Sequence, residues 1–134
     1  MKALREALWD HITADTAIMA LASGVHHYEA PQDAAPPPYV VFEQVGGLPE
    51  WTFAGPAMED LRWIFEGVCT EGDAGPAEEL AALLDARLTD APLTIVGAGL
   101  LWLRRASMVE YQRRDGADRY FHSGGVYRVV TQPN

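Results

Sequence analysis

Four histidines, one cysteine and two adjacent carboxylate pairs are the residues of this chain with the chemistry to act on a substrate or hold a metal. His26 and His27 are neighbours, so on a strand they point to opposite faces and cannot easily share a metal. His11 falls in a helical pattern and His122 in the last strand pattern, so a site using them needs convergence across the whole chain. Zinc sites usually announce themselves by short spacings between cysteine and histidine, and none is present. Glu78-Glu79 sits where a helix begins and is explained by the helix dipole. Glu59-Asp60 has no nearby candidate for acid–base work. Ser23, Ser107 and Ser123 lie in no nucleophile-elbow pattern. Gly97-Ala98-Gly99 lacks the third glycine and the following helix of a dinucleotide loop. No catalytic, cofactor-binding or metal-ligating set is assigned. The enzyme such residues could make, a small metal-dependent hydrolase using His26 or His27 with His122, stands as an alternative.

The elements that would position these groups are easier to read. Leu4, Leu8 and Ile12, spaced by four, predict an N-terminal helix. Thr13 or Asp15 can cap a second short helix carrying Ile18 and Leu21, stopped by Gly24. Residues 25–28 read as a short strand. Pro36-Pro37-Pro38 then fixes an extended lead into Tyr39-Val40-Val41-Phe42-Glu43-Gln44-Val45, one of the clearest strand signals in the chain. In the strand 62–70, Trp63, Phe65 and Cys69 share one face with Arg62, Glu66 and Thr70 opposite, which makes Cys69 a core residue. Pro76 and Glu78-Glu79 open a helix with an apolar stripe of Leu80, Leu83, Leu84 and Leu88. Residues 100–111 and 119–131 read as strands joined by a turn at Asp115-Gly116. Ser123-Gly124-Gly125 is expected to interrupt the last strand as a bulge. This order predicts an α+β fold with a mostly antiparallel sheet packed against a long helix, an N-terminal helical segment, and a single domain over 1–134.

Composition narrows the function classes. With 134 residues, 49% of them hydrophobic, the chain can bury a sizeable core. No apolar run approaches the ~20 residues of a membrane helix. The first residues mix acids into an amphipathic pattern and do not read as a signal peptide. The single Cys69 suits a reducing compartment. Charge is unevenly spread. Residues 1–100 carry Lys2, Arg5, Arg62 and Arg87 against sixteen acids, whereas 101–134 carry six arginines against Glu110, Asp115 and Asp118. That split is either a solvated surface or an acidic face of one subunit meeting an arginine-bearing face of the next. A net charge of −9 disfavours tight nucleic-acid binding.

The segment 46–60 has no period and several glycines and prolines, and reads as a loop. Its Trp51 and Phe53 either cap the sheet or anchor in a neighbouring subunit. The candidate assembly interface is therefore Trp51 and Phe53, with Arg104, Arg105, Arg113 and Arg114.

The chain resembles the small tail-completion, or tail-terminator, proteins of long-tailed bacteriophages. The similarity lies in Leu4, Leu8 and Ile12, then Gly24-Val25, then Pro38-Tyr39-Val40-Val41. It continues through the aromatic strand at 62–70, the helix at 76–88, and a closing hairpin with Arg114-Asp115-Gly116, Tyr120-Phe121-His122 and Tyr127-Arg128-Val129-Val130-Thr131-Gln132. The resemblance implies a structural protein without cofactors. It would be made in the bacterial cytoplasm and built into the tail of a virion or of a phage-like particle such as a gene transfer agent. It further implies a homo-oligomeric, hexameric ring that stops tail-tube growth and docks the filled head. Its partners would be the tube protein and the head–tail connector, with double-stranded DNA passing ungripped through the lumen. Another head–tail connector or adaptor subunit is the second reading.

Overall fold

A computed structural model describes residues 2–52, 55–70 and 72–134, with side chains outside 49–57. Helix α1, Lys2–Thr13, forms where leucine and isoleucine recur at every fourth position, and Leu4, Leu8 and Ile12 are all fully buried. The following helix α2, Thr16–Leu21, is capped by Asp15, whose Oδ1 accepts from the backbone N–H of Ile18 at 3.0 Å. Strand β1, Val25–His27, is short, and after the proline-rich segment come β2, Tyr39–Thr52, and β3, Gly55–Thr70. Helix α3, Gly75–Leu88, starts at a proline-containing first turn and turns Ala77, Leu80, Leu84 and Leu88 inward. At 14 residues it is the longest described helix, though ordinary for a globular protein. Strands β4, Ala98–Asp115, and β5, Asp118–Pro133, close the chain. No helix among the described residues is long and apolar enough to cross a membrane.

The five strands form one sheet in the order β1-β2-β3-β5-β4, parallel between β1 and β2 and antiparallel elsewhere. The predicted α+β architecture is the observed one. The helices cover one face. Beneath them Phe42 stacks on Phe65 with ring centroids 5.5 Å apart, and Tyr127 meets Phe65 edge-on at 5.4 Å. Tyr127 also donates its hydroxyl to Asp85 of α3 at 2.8 Å, tying helix to sheet. The close fit of α3 on β3 requires a glycine. A Cβ on Gly67 would lie 2.6 Å from Cβ of Leu80 and 2.7 Å from the carbonyl oxygen of Ala77.

Three expectations need correction. The supposed loop 46–60 is mostly strand, because β2 and β3 stay paired from Gly46 opposite Arg62 out to Thr52 opposite Gly55. Backbone pairing holds this ribbon together. From Met58 outward it has no β5 pairing among the described residues, so no third strand fixes its alternation. Ser123-Gly124-Gly125 does not interrupt β5, whose register with β3 runs unbroken through Glu66–Gly124 and Phe65–Gly125. Those glycines allow close approach, since a Cβ on Gly124 would meet the carbonyl oxygen of Phe65 and one on Gly125 would lie 2.8 Å from that of Ser107. The irregularities fall in β4 instead, between Leu100 and Trp102 and between Arg105 and Ser107. The closing hairpin turns at Gly116-Ala117, one residue later than read, with Gly116 at φ +63°.

Candidate assembly interface

The structure keeps the histidines apart. His26 packs edge-on to Tyr39 at 5.5 Å, while His27 leans against Phe42 at 5.5 Å and Trp63 at 6.2 Å, so the two rings do take opposite faces. Burial lowers the pKa of both. His11 contacts the carbonyl oxygen of Arg87 through Nε2 at 3.0 Å and serves as a strut between α1 and α3. His122 is buried on the other face of the sheet, with Nδ1 2.8 Å from Glu66 Oε2. Arg113 Nε lies 3.5 Å from His122 Nε2, on the side of the ring away from Glu66. Tyr111 stacks on the same imidazole at 4.4 Å, and burial together with a hydrogen bond to Glu66 pushes its phenol well up. No group of three or more metal-binding side chains converges among the described residues. Cys69 is buried and donates to the carbonyl oxygen of Asp73 at 3.4 Å, and burial pushes its thiol up.

The Glu66–His122 pair looks onto a hollow of about 520 Å³ between the open sheet face and the proline-rich segment, lined among others by Pro31, Pro36, Tyr39, Tyr111 and Tyr120. Sequence reading missed this pair, because its members are 56 residues apart and meet only through the β3–β5 register. Asp60, Arg62 and Arg128 were missed in the same way. Arg62 and Arg128 face each other across β3 and β5, and both bind Asp60, with Arg128 Nη2 2.9 Å from Oδ2. Hydrogen bonds from Arg128 and then Arg62 hold the Asp60 carboxyl below its usual range. The alternation Asp60, Arg62 was the available signal, since residues two apart share a strand face.

Of the arginines named from sequence, three are engaged within the chain. Arg104 holds Asp90 through two bonds of 3.0 and 2.8 Å, and Arg105 lies 3.5 Å from Asp85. Arg113 sits over the Tyr120 ring at 4.7 Å beside the hollow, while Arg114 is exposed near the closing turn with no charged partner among the described residues. Trp51 lies in β2 by its backbone, but its side chain, like all of Phe53, is outside the described residues. Several apolar side chains of the sheet are exposed. Leu48 is 73% exposed on β2 and Met108 71% on β4, with Val45, Leu101, Trp102 and Tyr111 also open.

The family model for the tail completion protein gp17 matches residues 6–132, nearly the whole chain. The chain belongs to that family. As a tail completion protein it is a structural component of a phage-type particle and not an enzyme. In fold it is similar to a chain from the virion of a native gene transfer agent particle, at a TM-score of 0.81 with 18% identity, covering 98% of this chain and 96% of that one. No curated protein matches it.

Proposed function

We propose that the chain assembles into a ring, hexameric as the family resemblance implies, that caps the tail tube and joins it to the head. The family match over residues 6–132 carries this reading. The shape of the sheet supports it. The β2–β3 ribbon runs past the end of β5 on one side, and the β4–β5 turn lies beyond the end of β3 on the other. Beyond the last β5 pairing β3 extends by four residues and β2 by three, a reach of about 10–13 Å. A subunit with a projecting hairpin at each end of its strands suits a part held between a tube and a head. Net charge −9 suits a lumen through which DNA slides unheld.

Within this reading Trp51, Phe53, Arg104, Arg105, Arg113 and Arg114 contact neighbouring subunits or the tube. Replacing Trp51 and Phe53 together by serine impairs assembly and leaves monomer melting nearly unchanged. A large loss of monomer stability would instead place both side chains against their own sheet. Raised salt slows assembly if the arginines meet acids across the contact; indifference to salt leaves apolar contacts alone. The deciding experiment adds purified protein to polymerising tube protein from the same gene cluster and images the product. Rings at one tube end and arrested growth are expected. Tubes that lengthen unchecked, or label confined to the head connector in whole particles, reject tube capping, the latter in favour of an adaptor subunit.

A further inference from the structure

The sheet has two unsatisfied borders, and they differ in a way that identifies what covers them. On one side β1 reaches only Val40–Phe42 of β2, and its own outer side is capped at Val25, whose carbonyl oxygen accepts from Trp9 Nε1 at 3.2 Å. From Glu43 to Thr52 the outer side of β2 has no backbone partner among the described residues. On the other side Asp90 donates its backbone N–H to the carbonyl oxygen of Leu103 at 3.0 Å, and from Arg104 to Asp115 β4 is open in the same sense. Long open edges are templates for pairing with another chain unless something covers them.

The two borders complement each other. The β2 border carries Glu43 with the exposed Val45 and Leu48; the β4 border carries the exposed Met108 and Tyr111, with Arg113 and Arg114 beside Glu110 and Asp115, while Arg104 and Arg105 are held by Asp90 and Asp85. A closed ring needs a head-to-tail contact, which joins unlike borders, β4 of one copy to β2 of the next. Strand direction also fits. Every pairing from β2 through β3 and β5 to β4 is antiparallel, so β2 and β4 run in opposite senses. Rotating a second copy about an axis along the strands brings its β2 beside β4 in the antiparallel sense already used through the sheet.

We infer that the outer side of β4 in one copy pairs antiparallel with the outer side of β2 in the next, so that the sheet continues across the subunit boundary. The inference rests on the ring reading and names its lateral contact. β1 limits the open part of β2 to residues beyond Phe42, and the Asp90 contact limits β4 to residues beyond Leu103, so the two copies meet with an offset along the strands. Such an offset is the ordinary consequence of strand tilt when a sheet closes on itself.

The test uses double-cysteine chains, Gln44→Cys with Ser107→Cys and Leu48→Cys with Met108→Cys, oxidised after assembly at high concentration. At least one pair gives a ladder of disulfide-linked multimers, while the single variant Met108→Cys yields no linked dimer. In parallel, Leu48→Lys and Met108→Lys leave monomer melting unchanged, because both side chains point into solvent in the free chain. Each raises the concentration needed for half-assembly by at least about tenfold. Rings seen by negative stain without any ladder, and formed by both lysine variants at wild-type concentrations, overturn the edge pairing and leave the ring reading standing. Dimers from Met108→Cys alone overturn it in favour of a two-fold contact. Persistent monomers in every preparation, with no rings, reject both readings together.

Discussion

Gly67→Ala adds one methyl group at the place where α3 lies closest to the sheet. The new carbon would stand 2.6 Å from Cβ of Leu80 and 2.7 Å from the carbonyl oxygen of Ala77. Neither neighbour is the free end of a flexible side chain, so the first turns of α3 have to lift from β3. That movement loosens Leu80 and Leu84, which are buried against Phe65 and Tyr127 in the same cluster. Overpacking of this kind costs about 2–3 kcal/mol. For a chain of this size that corresponds to a fall in Tm of about 6–12 °C. Gly46→Ala is the matched control: nothing lies within 4 Å of its added carbon and its φ is not in the left-handed region. There the smaller entropy of the unfolded chain gives a gain of about 0.4–1 kcal/mol. The assay is thermal and urea unfolding of the two variants beside wild type, below the concentration of assembly. A Gly67→Ala chain that melts within a degree or so of wild type, or two variants that lose stability equally, would refute the packing argument.

Tyr127→Phe removes the hydroxyl that binds Asp85 and lowers stability by about 1 kcal/mol in urea unfolding, with Arg105 still beside the carboxylate. His122→Ala takes a hydrogen-bond partner from the buried Glu66 and costs about 1–3 kcal/mol, whereas a purely surface histidine would cost almost nothing. Asp60→Asn costs about 1 kcal/mol near neutral pH, since two partly exposed arginines share the carboxylate. The folded Asp60 pKa lies below its unfolded value, so its contribution is complete above the ordinary carboxylate range and fades as pH falls through the folded value. Unfolding midpoints of wild type and Asp60→Asn therefore differ by a constant amount above about pH 5 and converge in acid.

The parts of the fold legible in the sequence are those where a buried face stamps its period on the chain. Leu4, Leu8 and Ile12, the alternation through Trp63, Phe65 and Cys69, and the α3 stripe all face the same core, and each was placed correctly. The β2–β3 ribbon escaped because its outer part is held by backbone groups, which every residue has, so Gly46, Gly47 and Pro49 gave only loop signals. Gly124 and Gly125 misled for a related reason: they mark crowding by Phe65, Ser107 and Arg105, and crowding depends on partners far away in sequence. Of the candidate interface, the arginine pairs were visible as charge, but their engagement with Asp85 and Asp90 was not. The openness of Leu48 and Met108 could not be read at all, because exposure depends on which strands lie next to them and where those strands stop.

The hairpins at the two ends of the sheet are unlike in both sequence and charge, one carrying Trp51 and Glu50 and the other Arg114, Asp115, Asp118 and Arg119. An object built from such subunits has polarity. Inserted upside down it would offer each partner the wrong tip, so the part itself records which way is up. In the proposed capping role, that polarity would give a growing tail a finished end that cannot be mistaken for its beginning.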